Sequence, residues 1–383
     1  MSAAKKAVRF LHSSDWQLGL TRHFISEEAA PRFAQARVDA IEQLGKLAQD
    51  HDADFIVVAG DVFESNQLKG LTVDRTIEAL KEVRVPIFLL PGNHDPLDAS
   101  SIFSTPKFKA AGERILVIRD TEPLSVPGLD GVQVVGAPWR TKHPSSDLCA
   151  DMLAKLEPSD DKLRVAVCHG QTDTLMPDKS RPEVINLANA EAALNDGRIH
   201  YLALGDRHSV TDVGKTGRVW FSGAPVATDF NETRPNQTLL VELSSDQCEV
   251  DELQVGTWNF IVEDFNLNGP NDLDMFAEWL GDLPNKKNTV VKVAFKGTVN
   301  LATAERLDRL FDAHVPKFAS LRKRERISDL IIAPDELDTG SVALSGYAKE
   351  TWNQLLADAP SDPKALGALR LFYRLIQPGA APV

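Results

Sequence analysis

Five short segments gather the side chains of this sequence best suited to hold metal ions or move protons: Asp15-Trp16-Gln17, Gly60-Asp61, Gly92-Asn93-His94-Asp95, His169-Gly170 and Gly205-Asp206-Arg207-His208. Each follows an apolar run of strand-like composition: VRFLH, DFIVVA, VPIFLL, LRVAVC and IHYLAL, in that order. Carboxylate and imidazole groups delivered together suit manganese, iron or zinc better than calcium. A neighbouring glycine permits the tight turn and close approach such ligands need. A lone Gly-Asp or a single histidine is ordinarily a turn residue or a satisfied hydrogen-bonder. Five such segments, each at a strand end, predict a two-metal site in which cations ~4 Å apart clamp a phosphoester.

Such a site needs strands to carry it. Residues 7–12, 54–59 and 85–90 read as strands. A helix is expected over 27–50, capped by Ser26, with Val38, Ile41, Leu44, Leu47 and Ala48 at helical spacing. A second is expected over 71–83, with Val73, Ile77, Leu80 and Val83 on one side. This alternation implies a mostly parallel sheet, and sites in such folds gather outside the carboxyl ends of the strands. Strand-like pieces at 115–118, 132–135, 163–168, 199–204, 218–221 and 238–243 predict a second sheet packed on the first. Helices near 146–156 and 183–195 interrupt them. The expected class is α/β. Domains are expected over 7–245, over 252–335 (a small α/β accessory domain) and over 339–383 (helical, closing in a frayed PGAAPV).

The stretches FLHSSDWQLG, VVAGDVFES, LLPGNHDPLD, VCHGQ, YLALGDRHS and WFSGAPVATDF resemble the calcineurin-like metallophosphoesterase superfamily. Within it, they look most like the Mre11/SbcD-like DNA repair nucleases. The resemblance covers 7–245 and continues more loosely through 252–335. It implies a two-sheet metallophosphoesterase sandwich flanked by helices, with a capping domain and a helical C-terminal region. It also assigns roles. Asp15 and His208 would hold the first metal, Asn93 and His169 the second, and Asp61 would bridge both. His94 would orient the phosphate and protonate the leaving oxygen, with Asp95 holding its imidazole. Gln17 and Asp206 stand where the family has histidines, and Glu64 where it has an acid or histidine after its GD motif. Their oxygen donors make the site harder, favouring Mn2+, with Mg2+ or Fe2+ as alternatives. Arg207 either points to solvent or meets the substrate phosphate. His12 reads as support behind the ligands. The family's C-terminal segment docks on a coiled-coil ATPase of the SbcC/Rad50 kind, so such a partner and a homodimer are implied.

Charge pulls the other way. The chain has 42 Lys and Arg against 55 Asp and Glu, a net charge of -13, whereas nucleic-acid partners favour basic surfaces. The run LRKRER (321–326) is the strongest local basic cluster, read as a solvated helix face or a contact to backbone phosphate. Trp16, Phe63, Trp139, Trp220 and Phe230 are either core or stacking residues. Cys149, Cys168 and Cys248 are too sparse for a disulfide framework or a zinc knuckle. The start, MSAAKKAVRF, is too polar for a signal peptide, and no apolar run reaches the ~20 residues that span a bilayer. A cytoplasmic protein without a membrane partner is expected. The leading reading is exonucleolytic hydrolysis of DNA phosphodiesters in repair. Two others stand beside it: a phosphodiesterase or phosphatase for a small nucleotide-like substrate, and a metal-poor scaffold for an ATPase or DNA.

Overall fold

The computed structural model describes residues 7–159, 161–176, 178, 181–332 and 344–376. They divide into two compact units, one within 1–23 and 30–259, the other within 24–29 and 260–383.

The first unit contains two six-stranded sheets. In one, β1 (Val8–Ser13), β2 (Phe55–Val58), β3 (Ile87–Leu89) and β4 (Ile115–Val117) run parallel. On the other side of β1, β11 (Gln237–Leu243) and then β12 (Cys248–Gln254) add antiparallel. In the second sheet β6 (Val132–Gly136), β7 (Leu163–His169), β8 (Tyr201–Gly205) and β10 (Val219–Phe221) run parallel. The short β5 (Leu124–Ser125) and β9 (Thr211–Asp212) close its edges antiparallel.

Alternate side chains of each central strand face opposite ways, and both faces are buried. Phe10, Phe55, Val57 and Phe88 meet Val134, Val165, Val167 and Tyr201 between the sheets. Leu11, Ile56 and Val58 instead pack on α1 (Ala30–Asp50) and α2 (Gly70–Glu82), through Ile41, Leu44, Ile77 and Leu80. Ala166, Cys168 and Leu202 pack on α4 (Leu148–Leu153) and α5 (Leu187–Asn195). A one-turn helix, α3 (Pro106–Lys109), is capped by Thr105, whose Oγ1 accepts from Phe108 N. Burial on two faces explains why these strands read as unbroken apolar runs. Phe10 and Phe55 stack with centroids 4.9 Å apart, and truncating such a core aromatic costs about 3–5 kcal/mol.

In the second unit β14 (Thr289–Val299) pairs with β13 (Asn259–Asn266), β15 (Ser320–Lys323) and β16 (Asp329–Ile332). Leu273, Phe276 and Leu280 of α6 (Pro270–Asp282) and Leu307 and Phe311 of α7 (Leu301–His314) cover Val291, Val293 and Phe295 of β14. Helices Tyr347–Asp358 and Pro363–Ile376 pack through Trp352 and Leu369 against Leu301. Among the described residues no helix is long and apolar enough to cross a membrane. The expected PGAAPV tail lies outside the described residues.

Four expectations change. The segments at 115–118 and 238–243, expected in the second sheet, form β4 and β11 of the first, because they pair with β3 and β1. Helix α1 starts at Ala30 rather than 27, and Ser26 Oγ accepts from Ala29 N in a turn ahead of it. The basic run is strand β15 and the turn after it, not a helix face. Two of its cations are paired, Lys323 with Asp308 and Arg324 with Asp264, which reduces the charge it offers to phosphate. Trp16 and Phe63 are core residues, 2% and 0% exposed, and cannot stack on bases.

Candidate metal centre

The parallel strands β1, β2, β3, β7 and β8 deliver the five polar segments at their carboxyl ends. The turns there are unusual. Asp15, Gln17, Asp61 and Asp206 adopt left-handed φ values of 52°, 44°, 52° and 92°. Such backbone is uncommon for residues other than glycine and gathers at functional sites. Glycines give the room. A Cβ on Gly60 would stand 2.2 Å from His169 Nδ1, and one on Gly92 would stand 2.2 Å from Asp61 Oδ1.

Asp15, Asp61 and His169, all buried, each offer one ligand atom, and these atoms lie within 4.8 Å of one another. The other expected ligands join the same network. His169 Nε2 lies 2.8 Å from Asn93 Oδ1, 3.4 Å from Asp61 and 3.8 Å from Asp206. His208 Nε2 lies 3.7 Å from Asp15 and 3.3 Å from Gln17 Nε2. Gln17 Oε1 is buried without a hydrogen-bond partner. A buried amide oxygen left so is costly unless a cation or donor meets it. Carboxylates, imidazoles and this oxygen together fit divalent cations.

Neighbouring groups aim these side chains. Ser14 Oγ donates to Asp15 Oδ2 at 2.6 Å, and Asp206 N donates to the same carboxylate at 3.0 Å. His169 Nδ1 donates to the Ala59 carbonyl at 2.8 Å, which turns Nε2 into the cluster. His208 Nδ1 lies 2.6 Å from Thr228 Oγ1, which in turn donates to Glu232. Gln171 Nε2 donates to Asp206 Oδ2 at 2.7 Å. Such outer partners fix ring orientation and raise ligand basicity.

The field here is strongly negative. Burial alone would depress both histidines, yet His169 is held well above its ordinary value by Asp61, Asp15 and Asp206. His208 is held up at about 9 by Glu232, Asp15 and Asp206 against the same burial. Burial raises Asp15. A cluster that so favours positive charge is suited to cations.

His94 sits beside the cluster, 37% exposed on its side chain, with Nε2 3.9 Å from Asp61 Oδ2. Its imidazole is held by Glu64, not by Asp95: Nδ1 lies 3.0 Å from the Glu64 carbonyl oxygen. Asp95 is fully buried and accepts from Phe63 N at 2.9 Å and Gly92 N at 2.7 Å. It therefore braces the two loops that carry Asp61 and Asn93. Arg207 donates from Nε to Thr211 Oγ1. Cys168 is buried in β7 and its thiol is pushed up by burial, which suits a core residue rather than a nucleophile.

Several groups around the cluster escape the sequence reading: Ser14, Gln171, Thr228, Glu232 and Arg37. Glu232 lies two residues beyond WFSGAPVATDF, so that stretch was the available signal. Arg37 is 1% exposed, its guanidinium lies 4.3 Å over the Phe33 ring, and its three side-chain nitrogens have no hydrogen-bond partner.

Comparison with known proteins agrees with this geometry. The calcineurin-like phosphoesterase family matches residues 8–210. The chain is 26% identical over 350 residues to a subunit of the nuclease SbcCD of Bacillus subtilis (strain 168), covering 82% of this chain and 85% of that one. It is 28% identical over 287 residues to the Escherichia coli (strain K12) protein of the same name, covering 65% and 68%. It is 25% identical over 275 residues to the DNA double-strand break repair protein Mre11 of Methanosarcina mazei, covering 69% and 41%.

Proposed function

The chain belongs to the calcineurin-like phosphoesterase family, and from that premise we propose that it hydrolyses DNA phosphodiester bonds as an Mre11/SbcD-like exonuclease in repair. The convergence of Asp15, Asp61 and His169, with His94 alongside, carries the hydrolytic part. The similarity to the SbcCD nuclease protein of Bacillus subtilis over 82% of the chain supports DNA as substrate.

Divalent cations at such a site place positive charge on the phosphoryl oxygens and acidify water. The chain holds, aims and transfers a proton. Asp15, Gln17 and His208 form one half of the cluster, Asn93, His169 and Asp206 the other, and Asp61 lies between. With Nδ1 tied to the Glu64 carbonyl, protonated His94 presents Nε2 to the substrate side and gives its proton to the departing oxygen.

Manganese is the metal we assign, because Gln17 and Asp206 replace nitrogen donors by oxygen. Gln17→His is expected to tighten zinc binding about tenfold and manganese binding less, read by competition with a chromogenic chelator. Equal affinities in both proteins would remove Gln17 from the ligand set.

The SbcCD relatives are named as parts of a multi-subunit nuclease. A coiled-coil ATPase docking on the C-terminal helices, a homodimer and a cytoplasmic location belong to the same proposal.

The decisive assay compares manganese-dependent cleavage of linear double-stranded DNA, single-stranded DNA and a small bis-aryl phosphodiester by wild type and His94→Ala. DNA cleavage that drops by about 10²-fold or more in the variant is expected. Cleavage of the small diester alone, with or without an added ATPase partner, would replace this reading by a small-molecule phosphodiesterase.

A further inference from the structure

A cavity of about 370 Å³ opens beside the metal-binding cluster, within the range of roughly 300–1,000 Å³ seen for small-ligand sites. Asn93, His94 and Asp206 line it on the cluster side. Trp139, Met176 and Val184 add an apolar wall. The Trp139 indole is fixed there, since Nε1 donates to the His169 carbonyl at 2.8 Å. The remaining wall brings two exposed cations, Lys142 and Arg181, into the same cavity, beside His143, Gln171 and the Glu183 carboxylate.

Two cations at one rim are a local departure in a chain of net charge -13. Lys142 has no carboxylate partner among the ion pairs of the described residues. Arg181 is paired with Glu183 through Nη2 alone, which leaves Nε and Nη1 for an oxyanion. A guanidinium fork of this kind suits phosphate, and an ammonium adds a point charge beside it. A ligand that fills this space therefore carries one anion toward the cluster and a second toward Lys142 and Arg181, joined by a largely neutral body. One internal nucleotide of a strand, with a phosphate at each end, has that form.

We propose that this cavity receives the nucleotide next to the scissile phosphate, with its far phosphate on Lys142 and Arg181. The inference rests on the DNA reading above and adds to it a site that recognises the strand beyond the bond being cut. A phosphomonoester or a small aryl diester lacks the second anion and gains nothing there.

The test is calorimetric binding, with manganese present, of a nucleoside 3′,5′-bisphosphate and of the two matching monophosphates. Wild type is expected to bind the bisphosphate at least tenfold more tightly than either monophosphate. The double variant Lys142→Ala, Arg181→Ala should lose that preference, and the charge-conserving Lys142→Arg, Arg181→Lys should keep most of it. Lys155→Ala, which removes an exposed cation bonded to Thr121 and outside this cavity, should leave it intact. No preference in wild type, preference surviving in the alanine double variant, or equal loss in Lys155→Ala would each overturn the proposal. A preference in a protein that cuts no DNA would uphold the cavity and overturn the nuclease reading. DNA cleavage without the preference would do the reverse.

Discussion

Asp61→Asn is expected to lower phosphodiester hydrolysis by about a thousandfold or more and to remove at least one bound cation, while the fold survives. The carboxylate occupies the centre of the cluster. Oδ2 lies 3.4 Å from His169 Nε2 and 3.9 Å from His94 Nε2, while Oδ1 accepts from His94 N at 3.0 Å. An amide must turn its NH2 toward one of these two sides. Toward the backbone it faces another donor, and toward His169 it offers a hydrogen where a ligand oxygen is needed. It also removes the charge that does most to hold His169 above its ordinary value against burial. Backbone strain is not the cause of any loss, because asparagine, like aspartate, tolerates the left-handed φ of 52° at this position. Metal content by elemental analysis and the thermal midpoint should be read together. Lost metal with a midpoint lowered by no more than a few degrees is the expected pair. A variant that retains both metal and turnover would show that Asp61 does not bridge the site.

Much of this was legible in the sequence because central parallel strands announce themselves. FIVV is apolar on both faces, VRFLH and LRVAVC are mostly so despite Arg9, His12 and Arg164, and each ends where a polar turn begins. What the pattern hides is what edge position or tertiary packing decides. CEVDELQ forms the edge strand β12, half of it exposed, so its side chains carry no core signal. LRK pairs as β15 because Leu321 fills the core of the second unit, although its neighbours look like a charged surface helix. The same limit applies at the site. The side chains at the strand ends are visible as motifs, but the groups that aim them come from distant turns. Glu232 reaches His208 through Thr228, and the Glu64 carbonyl reaches His94. A backbone carbonyl has no signature in residue type, and the contact was expected of Asp95 only because the family resemblance assigned it there. Arg37 is the reverse case. A charged residue beside Val38 on a helix reads as solvent-facing, yet it is buried over Phe33.

Between pH 8 and pH 5, His12→Gln is expected to change from clearly less stable than wild type to about equal with it. His12 lies on β1, fully buried, and its ring bridges to β8 in the other sheet. The Leu204 carbonyl can only accept, so Nε2–H donates to it at 3.1 Å, and Nδ1 accepts from the Tyr201 hydroxyl at 3.1 Å. Both contacts lie on the strand that leads into Asp206 and His208. Substitution leaves one or both buried partners unmet, a cost of roughly 1–3 kcal/mol at neutral pH. The ring is neutral in the fold: burial pushes it down to about 3, against the smaller opposing effect of the Leu204 carbonyl. An unfolded chain titrates this histidine at 6.5. Between those values the unfolded state holds the extra proton, so unfolding free energy rises with pH. The stabilisation is complete above 6.5 and is lost as pH falls toward 3, at about 1.4 kcal/mol per pH unit. Asp95 runs the other way, since burial and then Asp61 raise it to about 7 and the folded state takes its proton first. The absolute stability curve of wild type mixes the two, whereas the difference between wild type and His12→Gln isolates the histidine. Urea midpoints in EDTA at half-unit pH steps should show the gap closing by roughly 2 kcal/mol from pH 6.5 to pH 5. A gap that stays constant across that range would mean that His12 is protonated equally in both states, and that its bridge between the sheets is not made by a neutral ring.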